Sequence, residues 1–149
     1  MTDTGECGLC AQLHELPTDA VVLRTGDWAV YVNPSYPGQE CVWVQAVSHV
    51  EGPWALSDAQ AGSFGVVMRA AATGLREARG AERVYVISMG ENHQHFHALL
   101  IARRADISPE GRGLTLVGTI LGAKGAPDRV AAAAMAADIR SRVPTSSQG

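Results

Sequence analysis

Long apolar runs are missing from this chain. The longest, such as Ala98–Ala102, fall far short of the roughly 20 residues that a helix needs to cross a bilayer. Met1–Cys10 is polar and acidic, with no basic segment followed by an apolar stretch, and does not read as a secretory signal. Cysteine is scarce as well: three among 149 residues, two of them only three positions apart. That is too few for a secreted disulfide framework, and a reducing cytoplasmic setting is the simplest expectation. Positive charge is thin, 12 Lys and Arg against 15 Asp and Glu for a net charge of -3, with no Lys/Arg run. Binding to a long nucleic acid is therefore disfavoured, whereas a small phosphorylated ligand needs only a few local donors. Internal repeats are absent, and the one low-complexity piece, Ala131–Ala134, is simply good helix former.

What is present fits one domain. Hydrophobic residues make up 46% of the chain and charged ones 18%, enough for a packed core over residues 1–143, with 144–149 expected as a frayed tail. Val21–Arg24 and Trp28–Asn33 read as strands joined by the turn Thr25-Gly26-Asp27, and Cys41–Ala46 as a third strand. Ser57 with Gln60 forms a capping-box pattern that opens a long helix. Its stripe is Phe64, Met68, Ala71, Leu75 and Ala78, and Gly80 stops it. Strands follow at Arg83–Met89 and His93–Arg103. Leu114–Leu121 fits a strand or a helix, and Pro127 at an N1-like position opens a final helix to about Arg142. This order predicts an α+β fold on an antiparallel sheet of about five strands, with a long helix after strand three and a C-terminal helix.

His93, His95 and His97 alternate along the fifth predicted strand, so all three are expected on one face, continued by Leu99 and Ile101. Imidazoles ~6.5–7 Å apart in successive steps make either a metal site or a row of groups for a phosphorylated substrate. The bland alternative is a surface strand, but an imidazole row bordered by Leu and Ile is costly without partners. Cys7-Gly8-Leu9-Cys10 is the second cluster. A redox CxxC follows a strand, and six preceding residues are too few for one, so a shared tetrahedral zinc ion suits the pair better than redox chemistry. Zinc then needs two more ligands: His49, from the loop after strand three, and a histidine of the row. Four protein ligands would make the site structural. Two unpaired thiols near a loose terminus are the alternative. Cys41 is expected in the core and His14 in solvent.

These residues, in this order, resemble the histidine triad (HIT) family, and within it the zinc-containing branch with an N-terminal CxxC. Its members carry a His-φ-His-φ-His-φ-φ strand, where φ is apolar, and a histidine after the third strand, as in Ala46-Val47-Ser48-His49-Val50. Asn33-Pro34-Ser35-Tyr36-Pro37-Gly38-Gln39 is similar to the family's Asn-Pro-x-x-Pro-Gly-His loop, with Gln39 in place of the last histidine. The histidine strand aligns in two registers. With His93 first, all three histidines match, His93 becomes the zinc ligand and His95 the nucleophile. With His95 first, the flanks Gly90-Glu91 and Ala102-Arg103 match better, His95 becomes the zinc ligand and His97 the nucleophile. Leu99 then stands in the third histidine's place. The second register is preferred. The resemblance implies structural zinc on Cys7, Cys10, His49 and His95, and a nucleotidyl-histidine intermediate formed from a nucleoside phosphoramidate, a dinucleoside polyphosphate or a similar conjugate. Gln39, His93 and Arg103 are then candidate phosphate donors and Asn33 the candidate for the ribose hydroxyls. A homodimer is common in the family. The other expectations are nucleotidyl transfer to a second phosphorylated substrate, nucleotide binding without turnover, and a cupin-like metal enzyme, which would leave Cys7 and Cys10 unexplained.

Overall fold

The structure, a computed structural model, describes residues 7–36 and 40–144. Gln39 and the tail at 145–149 lie outside the described residues.

Five strands form one antiparallel sheet: β1 (Val21–Arg24), β2 (Trp28–Tyr31), β3 (Cys41–Ala46), β4 (Ala81–Ile87) and β5 (His97–Arg104). Their spatial order is β1-β2-β3-β5-β4, so β3 and β5 lie centrally and β4 is an outer edge. In the β3–β5 register Trp43 lies opposite Leu99 and Gln45 opposite His97. Alternation then sorts the side chains. One face carries Val30, Val42, Val44 and Leu100, packed beneath α2 (Asp58–Arg79) and α4 (Arg129–Arg142). The other carries Tyr31, Cys41, Trp43, Leu99 and Ile101, under Leu9 of α1 (Gly8–Glu15) and Leu116 and Val117 of α3 (Leu114–Gly122). The fold is α+β, an open antiparallel sheet with four α-helices among the described residues. Among the described residues, no helix is long and apolar enough to cross a membrane.

The long helix begins and ends where its residues require. Ser57 accepts from the Gln60 N–H while Gln60 Oε1 accepts from the Ser57 N–H, a complete capping box. Gly80 closes the helix in the left-handed region at φ 59°, a conformation that costs glycine little. The buried stripe centres on Val67, Ala70, Ala71, Gly74 and Leu75; Ala71 and Leu75 lie in it as expected, whereas Phe64, Met68 and Ala78 are at its margins. Gly74 lets α4 approach closely, because a Cβ there would stand 2.8 Å from the Ile139 carbonyl oxygen.

Several expectations need correction. No helix was expected at the N-terminus, yet Gly8–Glu15 is helical, with Cys7 as its N-cap. The Cys7 sulfur accepts from the Cys10 N–H at 3.4 Å, a part usually taken by Ser, Thr, Asp or Asn. The segment Leu114–Gly122, open between strand and helix, is α3. The last helix starts at Arg129, not at Pro127, because the Asp128 carboxylate caps the Ala131 N–H. The most consequential difference lies in the histidine strand. β5 begins at His97, so His93 and His95 precede the sheet and the three imidazoles do not share one strand face. Phe96 turns into the core against Trp28 and Phe64, and its N–H donates to the Val50 carbonyl, which takes 93–96 out of ladder register.

Candidate metal centre and adjoining cavity

α1 is seated on the sheet by a buried polar chain. Gln45, fully buried on β3, donates to the Leu9 carbonyl at 3.0 Å and accepts from the Tyr31 hydroxyl at 2.7 Å. Gln12 of α1 in turn donates to the Tyr31 oxygen at 2.9 Å. These bonds fix α1 on the sheet and set its first turn beside the segment before β5.

There Cys7, Cys10, His49 and His95 bring one ligand atom each to within 4.8 Å of one another. His95 Nδ1 lies 3.5 Å from the Cys7 sulfur and 3.3 Å from the Cys10 sulfur, and His49 Nδ1 lies 3.4 Å from Cys10. A tetrahedral zinc ion with ordinary Zn–S and Zn–N bonds sets S···N separations of about 3.6 Å, so the donor set and its spacing fit such an ion. Protonation agrees. His95 Nε2 is 2.7 Å from the Ala46 carbonyl, which can only accept, so that nitrogen carries the hydrogen and Nδ1 offers its lone pair to the cluster. Burial lowers the His95 pKa, keeping the ring neutral. Burial first, then the hydrogen bond with the neighbouring Cys7 and its charge, push the Cys10 thiol up to about 11. A bound cation reverses that trend by favouring thiolate.

His97 has the opposite tautomer. Its Nδ1 donates to the His95 carbonyl at 2.8 Å, leaving the Nε2 lone pair with no protein partner among the described residues. The ring stacks on Trp43, with centroids 5.0 Å apart and planes 11° from parallel, and burial lowers its pKa. The Ser88 hydroxyl donates to its carbonyl. One residue thus serves both places: the His95 side chain faces the cluster and its carbonyl orients His97.

His97 lines a cavity of about 460 Å³ on the α1/α3 face of the sheet. Asn33, Tyr36, Trp43, His93, Leu99 and Lys124 line it as well. Asn33 is nearly buried, and its Oδ1 accepts from the Ser35 N–H, which turns the amide nitrogen away from that bond. His93 is not in the four-residue cluster; its ring lies 6.2 Å from that of His97. Arg103 does not reach this cavity. It lies six residues further along β5, roughly 20 Å from His97, ion-paired to Glu82 at 2.7 Å. Cys41 is buried in the sheet, its thiol pushed up to about 12, and His14 is exposed. The sequence reading missed Trp43, Tyr36 and Lys124. Strand alternation alone puts Trp43 on the His97 face once the β3–β5 register is known, but nothing local signals that register.

With this geometry established, the relatives are informative about fold. No family model matches the sequence, and no curated protein shows significant sequence similarity to it. Solved structures do match. A HIT-like protein of Bartonella henselae, described as involved in cell-cycle regulation, superposes with a TM-score of 0.69 at 15% identity, over 91% of this chain and 95% of that one. A hypothetical histidine triad nucleotide-binding protein of Sulfolobus tokodaii gives 0.68 at 14% identity, covering 91% of each chain. A zinc-bound histidine triad family protein of Mycobacterium smegmatis gives 0.65 at 13% identity, over 93% of this chain and 96% of that one. The chain therefore has the histidine triad fold, with a Cys2His2 cluster that can hold a metal ion.

Proposed function

We propose that the chain is a nucleotide-phosphate hydrolase in which His97 Nε2 attacks the α-phosphorus of a nucleoside phosphoramidate, a dinucleoside polyphosphate or a similar conjugate. One observation carries the reading: His97 is buried beside the cavity with Nδ1 tied to the His95 carbonyl, which leaves a neutral, oriented Nε2 lone pair. Attack forms a P–N bond, and the leaving group departs with its electron pair. Water then attacks phosphorus, the P–Nε2 bond breaks, the pair returns to the ring and the water's proton goes to solvent. Such chemistry depends mainly on positioning and on donors to the phosphate oxygens. Lys124 and His93 line the cavity as candidate donors and Asn33 as the candidate for ribose hydroxyls. Gln39, two positions before β3 in the sequence, is a further candidate donor. Arg103 has no part, being held by Glu82.

Cys7, Cys10, His49 and His95 would hold structural zinc. All four positions belong to protein, so the ion's work is to fix α1 and the His95 backbone. The reading includes a homodimer, since β4 is an outer strand with Val86 half exposed and α2 exposes Val66. Leu99 supports a second reading, nucleotide binding without turnover, because it lines the cavity and offers no hydrogen bond. Nucleotidyl transfer would differ in requiring a second phosphorylated substrate.

The test is a millisecond quench of the protein with nucleoside phosphoramidates and dinucleoside polyphosphates, reading intact mass and product. A gain of one nucleotidyl group that disappears in His97→Gly is expected, with turnover down at least about 10⁴-fold. An adduct lost in His95→Gly but kept in His97→Gly would move the nucleophile. Tight binding with neither adduct nor product would establish the second reading.

A further inference from the structure

A second cavity, about 480 Å³, also opens on His97. It shares only Met89, Gly90, Glu91 and His97 with the first, so the segment 89–91 is a common wall with His97 at its foot. The remaining lining differs in kind. The first cavity contains Lys124 and His93, whereas the second has no Lys or Arg and carries Glu51 beside the shared Glu91. Among the described residues neither carboxylate is in an ion pair.

Across this cavity stands Trp54, on the single 3-10 turn Pro53–Ala55. Its indole is 79% exposed, while the other two tryptophans are buried. It is nonetheless seated: the ring lies on Gly52, where a Cβ would come 2.4 Å from the indole Cη2. Gly52 is extended (φ -172°), a conformation open to any residue, so the glycine serves the indole and not the backbone. Among the described residues nothing covers the outer face of this indole, so its apolar area is available to a ligand. A solvent-facing indole, Met89 and two unpaired carboxylates together match an organic cation with a flat apolar body.

We propose that this second cavity is the leaving-group subsite, and that it takes an arylalkyl group bearing a positive charge. The proposal deepens the hydrolase reading and rests on it for the chemistry. With phosphorus over His97, the nucleoside extends into the first cavity and the leaving amine crosses the 89–91 wall toward Trp54. On attack by His97 the P–N bond to that amine breaks; the electron pair stays on the amine nitrogen, which takes a proton from water in the open cavity. Trp54 supplies the stacking face, and Glu51 and Glu91 the countercharge.

Two measurements test it. In the first, 4-(aminomethyl)benzylamine is titrated into the protein while tryptophan fluorescence is followed, a readout that needs no turnover. A saturable change is expected, absent in Trp54→Ala and about five- to tenfold weaker in Glu51→Gln. Gly52→Ala, which displaces the indole without removing it, should weaken it likewise. In the second, adenosine and guanosine 5′-phosphoramidates of that diamine are compared with those of methylamine. The wild-type ratio of kcat/KM should favour the diamine and fall about tenfold in Trp54→Ala. No saturable change, or a ratio indifferent to both Trp54→Ala and Glu51→Gln, overturns the subsite. Binding that follows the expected pattern while no phosphoramidate is cleaved upholds the arylalkyl-cation site at Trp54 and instead overturns the hydrolase reading, and with it the assignment to a leaving group.

Discussion

The two faces of the sheet are built on different principles. Beneath α2 and α4 the core is dry: Val30, Val42, Val44, Leu75, Leu100 and Ile139 are all fully buried, and α4 closes on α2 at Gly74 with no room for a side chain. On the opposite face the same strands carry Tyr31, Gln45, Trp43 and His97, and α1 is attached by hydrogen bonds and the Cys2His2 cluster as well as by the packing of Leu9. One face supplies stability by close packing, which resists change of any kind. The other accepts buried polar groups, which are costly when left unpaired, and in return holds a cavity and an oriented imidazole. A mutation on the first face should therefore alter how much protein is folded, and one on the second what the folded protein does.

The largest effect that would break this contrast is loss of a residue of the Cys2His2 cluster. Cys10→Ser should weaken zinc binding by on the order of 10³-fold, measured by competition with a chromophoric chelator, and lower the melting temperature by roughly 10 °C. It should also lower turnover, because His95 no longer holds its carbonyl against His97. Unchanged turnover in a zinc-free protein would uncouple the cluster from the site. Next comes Leu75→Ala on the dry face, expected to cost about 2–5 kcal/mol by denaturant unfolding, with zinc content and kcat/KM of the folded fraction unchanged. A change in kcat/KM there would mean that the faces are not separable. The smallest and sharpest is Gln45→Leu. It strands the Leu9 carbonyl and the Tyr31 hydroxyl, costing about 1–3 kcal/mol, and should raise hydrogen exchange in α1 more than in α2. Equal effects on both helices would show that the polar chain does not hold α1 in particular.

The dry face was also the legible one. Ser57, Gln60 and Gly80 announce α2 because capping and helix termination are local events encoded within a turn of chain. β1 and β3 match their expected spans, since β-branched strand residues between turn signals leave little choice. The polar face was legible in its cluster, since Cys7, Cys10, His49 and His95 come together as the CxxC spacing and the preferred register imply, but not in its strand. His93, His95 and His97 have strand spacing, but contacts made by Phe96 and His95 with distant elements override it. α1 escaped notice because eight residues are too few for periodicity and its N-cap is a thiol. Trp54 escaped because a single exposed aromatic has no pattern at all; only the glycine two residues before it, read in three dimensions, reveals that the ring has a seat.

The Cys7 sulfur has two employments, as cap of α1 and as one corner of the cluster, and its partner His95 lies 88 residues away. During synthesis the cysteines therefore emerge long before the histidine that completes their site, and over that interval they are unprotected soft donors. Any thiophilic metal or oxidant present in the meantime competes for them, with copper(I) the stronger rival for thiolate. For a cluster that takes up a metal ion, the order in which the chain leaves the ribosome would make metal supply and thiol redox state bear on how much protein is finished.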